Sequence, residues 1–526
     1  MILLSDQAGA RRSMGHRSHQ FPPALPHSRG RSSGALVALV LLRAALVAGS
    51  LPGGFGRADD LPPPPPTTAA SVTAAASVTG ATTATTTATF KGTETCVRCH
   101  RSEQGEWTGP ATTLHWREDA HSRAHLALAP TNDRTAAIER VLGIEARRTR
   151  ACIACHSHAP AEPAVTAETP LLHAGISCET CHGAASAYLE PHAAKEWRFL
   201  PTEEKSAFGM HDLRSPAVKA ANCAACHVGD IGSGRLVTHG MYAAGHPPLR
   251  PFEVESFSTA LGPHWRRIEA KPETIRAEAA AAGYRTETAG PIDRSLIEGL
   301  GVLRQSVRLA TDLAAVAEGE TPQVSWPELS LHDCRACHHE LVLPSQRQAL
   351  GYRRHVPGRP TLPRWPLGLA GAALRSTPEK PPVDDLLAPL LAEFDAVPFG
   401  TPRRVVVAAV GPLTGIDAAI ARLAPGRAPG DVAGDRAAIE ALAAAGATAD
   451  DVDAARIVAA ALLPALATSP AWGADERRAA CDRIAAILGF DPAGMPPGSH
   501  RPAPTAAPDI RAVRAAFILP APTSAR

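Results

Sequence analysis

The feature that most constrains this chain is a fivefold Cys-x-x-Cys-His pattern. It comprises Cys96, Cys99 and His100; Cys152, Cys155 and His156; Cys178, Cys181 and His182; Cys223, Cys226 and His227; and Cys334, Cys337 and His338. With 11 cysteines and 22 histidines in 526 residues, random placement gives about 0.01 such matches. Two thiols three positions apart can add to the two vinyl groups of one haem, and the adjacent histidine then supplies the proximal nitrogen to the iron. Zinc sites also use paired Cys-x-x-Cys units, but they need no histidine after every pair. A thioredoxin-like redox pair does not come in fives, and disulfide frameworks belong to short chains. The pattern therefore predicts five covalently bound haem c groups, with ten thioether cysteines and five proximal histidines.

The other histidines follow the same stretch. Eighteen of the 22 lie between Cys96 and His355, and only His16, His19, His27 and His500 lie outside. Removing the five proximal ones leaves 13 candidates for the far side of five irons. Methionine is scarce there, with only Met210 and Met241, so bis-histidine ligation is expected at most sites, with lower potentials than Met/His ligation gives. His239 and His246 stand seven apart in His-Gly-Met-Tyr-Ala-Ala-Gly-His. Glycines there let backbone approach a porphyrin face, and Pro247-Pro248 stiffens the exit. Both are distal candidates, as is His264 beside Trp265. His339 directly follows a proximal histidine and would point away from that haem. His115, His125, His158, His173, His211, His332 and His355 read more simply as solvated or hydrogen-bonded.

Composition divides the rest. Residues 1–58 hold a basic stretch (Arg11, Arg12, Arg17, Arg29, Arg31), an apolar run at 35–48 interrupted by Arg43, and small residues near Ala58. The run is short for a membrane span and suits a signal peptide, with an N-terminal anchor as the alternative. Either predicts a periplasmic location or one otherwise outside the cytoplasmic membrane, with membrane contact only through such an anchor. Residues 59–92 are a Pro/Thr/Ala-rich tract that cannot bury a core and reads as a disordered linker. The haem stretch, 93–355, offers about 50 residues per haem, too few for five ordinary cores. The porphyrins themselves are expected to be the core. One longer helix is legible inside it, at 293–318, with Leu296, Leu300, Leu303, Val307, Ala310 and Ala314 on one face and no ligating residue.

Residues 356–491 change to Pro-rich connections and Ala-rich helices. The expected helices are 435–445 closed by Gly446, 451–463 ended by Pro464, and 475–488 closed by Gly489. Cys481 shares a face with Ile484 and Leu488 and reads as a small buried hydrophobe. The tail, 492–526, reads as disordered. The fold class is mainly α with much irregular structure, a multihaem cytochrome c arrangement wrapped around closely packed haems, plus Ala-rich C-terminal helices. A net charge of +2 argues against a nucleic-acid binder, which carries a large basic excess. Oligomeric state is not legible.

At its haem motifs the chain resembles the cytochrome c-554-type multihaem family, electron-transfer proteins related to hydroxylamine oxidoreductase. Gly-Ile-Ser-Cys-Glu-Thr-Cys-His-Gly with His192 ten residues after His182 is similar to the family signature around one haem. Trp116 with Asp119 and His121 resembles the element that follows the family's first haem motif. The segments 238–253, 262–265, 326–329 and 333–341 look like a branch of related multihaem proteins. The likeness runs over about 93–354. It implies His121 and His192 as distal ligands. The founding type carries four haems, so this chain would be a pentahaem member whose haem packing does not carry over whole.

Two functions follow from these features. The first is an exported pentahaem electron carrier, with a redox protein or quinol-linked donor and an acceptor as partners; the surplus of histidine supports it. The second is a multihaem oxidoreductase acting on a small nitrogen or sulfur compound, such as hydroxylamine or nitrite, at one open haem with acid/base groups nearby. The related hydroxylamine-oxidising enzymes cross-link a haem to a tyrosine, and no motif marks one among Tyr188, Tyr242, Tyr284 and Tyr352. Ammonia-forming nitrite reductases carry Lys in place of one motif histidine, and all five motifs here end in His. The carrier, a non-catalytic protein, is the favoured expectation, and no catalytic residue is named.

Overall fold

The structure is a computed structural model that describes residues 88–100, 116–157, 175–261, 271–281, 289–319, 325–339, 341–343, 345, 348, 356–428, 430–490 and 509–522. The expected signal or anchor and nearly all of the linker lie outside these residues, as do His264, Tyr284 and Tyr352. All described residues belong to one compact unit, Ala84–Arg526. They are mostly helical, and no strand occurs among them.

The first part is built from short helices: α1 Thr93–His100, α2 Asp133–Leu142, α3 Arg150–His156, α4 Cys178–His182, α5 Thr202–Ala207, α6 Pro216–His227, α7 His239–Ala243, α8 Val254–Ala260 and α9 Glu273–Ala281. Local chemistry sets their ends. Asn132 accepts from Thr135 N (3.2 Å) to start α2, and Gly143 at φ 66° closes it. Ser215 and Pro216 open α6. The buried apolar side chains here form small groups, such as Leu128, Ala146 and Ile153, or Ala185, Tyr188 and Trp197.

Helix α10, Pro291–Ala317, divides the unit. Its sequence periodicity predicts one apolar face, but the structure buries it on two sides. It packs against α6 and α8 on one, and against α11 (Trp365–Arg375) and α13 (Pro402–Leu423) on the other. Two glycines allow this. A Cβ at Gly299 would meet Leu369 Cγ of α11 at 2.5 Å, and one at Gly301 would meet Ala220 Cβ of α6 at 2.7 Å.

Beyond α10, helices α11, α12 (Val383–Ala396), α13, α14 (Val432–Ala447), α15 (Val452–Thr468), α16 (Ala474–Leu488) and α17 (Ile510–Ala516) share one continuous apolar cluster. By length and composition α13 is apolar enough to cross a membrane, yet Val405, Ala409, Ile416 and Ala419 are buried in this cluster. Two expected helix ends are not ends. Helix α14 runs through Gly446, whose missing side chain admits Phe517 of α17; a Cβ there would lie 2.0 Å from the ring. Helix α15 runs through Pro464. Proline removes the donor that the carbonyl four residues back would use, and the Ser256 hydroxyl of α8 donates to that carbonyl, Ala460 O, at 3.2 Å. Gly489 does close α16, at φ 70°. Cys481 is half-buried against the cluster. Within the tail expected to be disordered, α17 docks Val513, Ala516 and Phe517 into it.

Candidate metal centres

Four of the five motifs form the last turn of a short helix, with His100, His156, His182 and His227 as the final residues of α1, α3, α4 and α6. On a helix, positions i, i+3 and i+4 share one face, so both thiols and the imidazole of each motif address the same side. The fifth motif starts as a 3₁₀ turn, Cys334–Ala336, with Asp333 accepting from Arg335 N at 3.0 Å. All ten motif cysteines are free thiols, as haem attachment requires.

Four motif histidines each face a second histidine from elsewhere in the chain. The ring centroids are 6.3 Å apart for His100 and His192, 6.1 Å for His227 and His121, 6.3 Å for His156 and His246, and 6.2 Å for His338 and His239. Two imidazoles bound trans on one metal have centroids about 6 Å apart, from two metal–nitrogen bonds of about 2 Å plus about 1 Å from each nitrogen to its ring centre. The residues therefore fit a metal held between each pair. The ring planes of the first and last pairs are near-parallel, at 19° and 27°, and the other two are crossed at 78°. Of the five distal candidates, His121, His192, His239 and His246 stand opposite motif histidines, and His264 lies outside the described residues.

The Nδ1 atoms are occupied in a way that leaves Nε2 for the metal. His121 Nδ1 is 2.7 Å from Asp119 Oδ1, His192 Nδ1 is 2.5 Å from Leu189 O, His246 Nδ1 is 2.7 Å from Pro247 O, and His156 Nδ1 is 3.1 Å from Ala124 O. Trp116 donates to Ile176 O at 2.8 Å, and Gly175, at φ 59°, presses the third motif against Ser122, where a Cβ would meet Ser122 O at 2.3 Å. Burial lowers the pKa of His100 and His246 and brings His227 to about 4, so these imidazoles are neutral, the ligating form. The Asp119 hydrogen bond raises His121 against the effect of burial.

Contacts between motifs give their adjacency. The thiols of Cys96 and Cys178 meet, as do those of Cys155 and Cys226. Cys181 also lies within electrostatic reach of Cys226. Helix α7 and the turn after it carry both His239 and His246, linking the fifth pair to the second.

Glu179 inside the third motif was not singled out by the sequence. Its buried carboxylate accepts from Lys91 N (2.9 Å), Gly92 N (2.7 Å) and Ala185 N (2.8 Å), tying the approach to α1 onto α4. An acidic residue between two haem cysteines is the one local signal. His332, expected to be solvated or hydrogen-bonded, is instead buried edge-on to Phe394 and Phe399, with centroids at 5.4 and 5.1 Å. His211 is exposed with Nδ1 3.1 Å from Cys181 O, and His339 is exposed. Arg335 reaches Asp451 at 3.5 Å.

No curated protein and no solved structure matches the chain. The family model described as cytochrome c554 and c-prime matches residues 95–183, the segment that carries the first three motifs, His121 and Glu179. Over that segment the chain is similar to the cytochrome c554-type family, c-type cytochromes that bind haem c covalently and transfer electrons.

Proposed function

We propose that this chain is an exported pentahaem c-type cytochrome that carries electrons between redox partners through bis-histidine haems. The observation behind this reading is the opposition of four motif histidines to four others at 6.1–6.3 Å. When bound, each haem c supplies a reversible one-electron iron couple. His100 with His192, His156 with His246, His227 with His121, and His338 with His239 would hold four of them. His182 would hold the remaining one, with His264 as a sequence candidate for its second ligand. Two imidazoles at a site leave no position for a substrate, which suits a carrier, and they favour low potentials.

The sites are read in the order first, third, fourth, second, fifth, from the nearness of Cys96 to Cys178 and of Cys155 to Cys226, the electrostatic reach of Cys181 to Cys226, and the shared α7 segment. The basic and apolar N-terminal stretch supports export to the periplasm or beyond the cytoplasmic membrane. A redox protein or a quinol-linked donor and an acceptor are the partners this reading requires.

Protein purified from cells that mature c-type cytochromes should carry five haems by mass. It should give no CO difference band when reduced. His192→Ala should open one iron and give a CO complex of about one per chain. A CO band in the unaltered protein would favour the oxidoreductase alternative, with a small nitrogen or sulfur compound bound at an open haem.

A further inference from the structure

The facing histidines differ in what their Nδ1 atoms meet. Those of His192, His246 and His156 meet the backbone carbonyls of Leu189, Pro247 and Ala124. His121 instead places Nδ1 2.7 Å from a carboxylate oxygen, Asp119 Oδ1. The same oxygen accepts from His121 N at 2.8 Å, so backbone and ring hold one atom between them. An aspartate reaches the backbone N–H two residues on as an Asx turn, and this turn is fixed from both ends. Asp119 N donates to Trp116 O at 3.1 Å. The Ser122 hydroxyl donates to Asp119 O (2.9 Å) and Arg117 O (3.1 Å). Trp116 Nε1 donates to Ile176 O at 2.8 Å, and Ile176 N donates to His121 O at 2.8 Å. Ile176 stands two residues before Cys178, so the approach to the third motif braces the turn that carries Asp119. The Asp119 side chain is 20% exposed.

The kind of acceptor changes what the ring can offer a metal. With Nε2 given to iron, Nδ1 keeps its proton and donates it. Aspartate is ionised at neutral pH, and donation to a carboxylate is a charge-assisted hydrogen bond, roughly twice as strong as one to a neutral carbonyl. It draws the Nδ1 proton toward the oxygen, and the ring gains imidazolate character and basicity. A more basic and more negative axial ligand favours ferric iron over ferrous, whose charge is one unit smaller. A backbone carbonyl acts in the same direction more weakly. The His121 ring lies 6.1 Å from that of His227, so the effect falls on the site of the fourth motif.

We propose that Asp119 is a positioning residue that lowers the midpoint potential of the site held by His227 and His121, by holding the Nδ1 proton of His121 against its carboxylate. This rests on the pentahaem reading above. No bond forms or breaks and no proton leaves the pair; Asp119 changes the electron density that His121 offers. In the order read above this site is the middle of five. Electrons that cross from the first and third sites to the second and fifth pass through it, and Asp119 sets the height of that middle step without being a ligand. Arg235 lies within electrostatic reach of Cys155, Cys181 and Cys226 and acts in the opposite direction on the same region. The comparison that isolates Asp119 is therefore between variants rather than between sites.

The test is potentiometry of the five-haem protein at neutral pH, followed by visible and electron paramagnetic resonance spectra, comparing the unaltered chain with Asp119→Asn. Asparagine keeps an acceptor oxygen in place and removes the charge. One midpoint potential should rise by about 59 mV, the one-electron equivalent of a tenfold change in the oxidised-to-reduced ratio, and the other four should move less. The centre that moves should be one with crossed imidazoles, and it should stay low-spin and unreactive to CO. If Asp119→Asn fails to load haem, Asp119→Ser is read instead, because a serine hydroxyl makes the same kind of turn without the charge; the same rise is expected. Five unmoved potentials, a fall, or a rise that comes with a CO complex, the mark of a lost ligand, overturns the proposal. A haem count below five, or a CO-reactive unaltered protein, counts against the carrier reading itself and is read separately.

Discussion

From α1 to α9 the buried apolar side chains fall into groups of three to five, among them Leu128 with Ala146 and Ile153. From α10 to α17 they form a single cluster that runs from Leu296 to Phe517. Both regions are helical, but their helices differ in kind. Before α10 most are shorter than three turns, and four end in a motif histidine; beyond it they are mostly long, alanine-rich and joined by their own side chains. Isolated helices shorter than about 12–15 residues are marginal in water. On the proposed pentahaem reading the first region therefore depends on porphyrins for its interior, whereas the second has an ordinary protein core. Helix α10 belongs to both, with Gly301 set against α6 and Gly299 against α11.

The strongest way to break this comparison is to withhold haem. Chain made without haem attachment should lose protection against hydrogen exchange throughout α1–α9 and keep it in α14 and α15. Protection of α3 and α6 without haem would refute the assignment of the interior to the porphyrins. The next test strikes the other side. Leu462, fully buried in α15, should cost about 2–5 kcal/mol on truncation to alanine. Its denaturation midpoint should fall while the native haem spectrum stays unchanged.

Acid should act on the haem-bearing part through Asp212. Burial alone would raise this carboxyl, but Arg214 (Nε to Oδ1, 2.7 Å) and the Thr202 hydroxyl (2.5 Å) outweigh it and hold the pKa at about 2. The folded value lies below the unfolded one of about 3.9, so the contribution is present above that value and is lost as pH falls through about 2. Asp212→Asn should destabilise at pH 7 by about 2 kcal/mol, and its acid titration should lack the decline between about pH 4 and 2. A parallel acid branch in both proteins would remove Asp212 from the account.

The smallest effect lies within the haem sites. Crossed and near-parallel imidazole planes split the iron d orbitals differently. The oxidised protein should accordingly show two low-spin electron paramagnetic resonance classes. His100/His192 and His338/His239 should be rhombic, and His227/His121 and His156/His246 strongly anisotropic. A single class would mean the ring angles are not those of the axial ligands.

The proposed covalent chemistry is a local expectation of the sequence: two thiols and an imidazole within five residues are what one haem site needs wherever the chain goes. The same locality made Gly489 readable as a helix end and the body of α10 readable from its periodicity. His121 and His192 were named as candidates through a family resemblance, and His239 and His246 through the glycines and prolines around them; the structure sets each near a motif histidine. Partner assignment was out of reach, because His227 meets His121 from 106 positions away and the pairing exists only once the helices pack. Pro464 and Gly446 misled for a related reason. Local rules end a helix at either residue, but Ser256 supplies the lost hydrogen bond to Ala460 O and Phe517 fills the space over Gly446. Glu298 looked like an ordinary polar residue of a helix with no ligand on it, and only packing on two sides of α10 buried it beside Lys219. Sequence alone named the thiols and imidazoles that the proposed haems would use. The tertiary structure decided which histidines oppose each other and which charges leave water, since both depend on groups far apart in the chain.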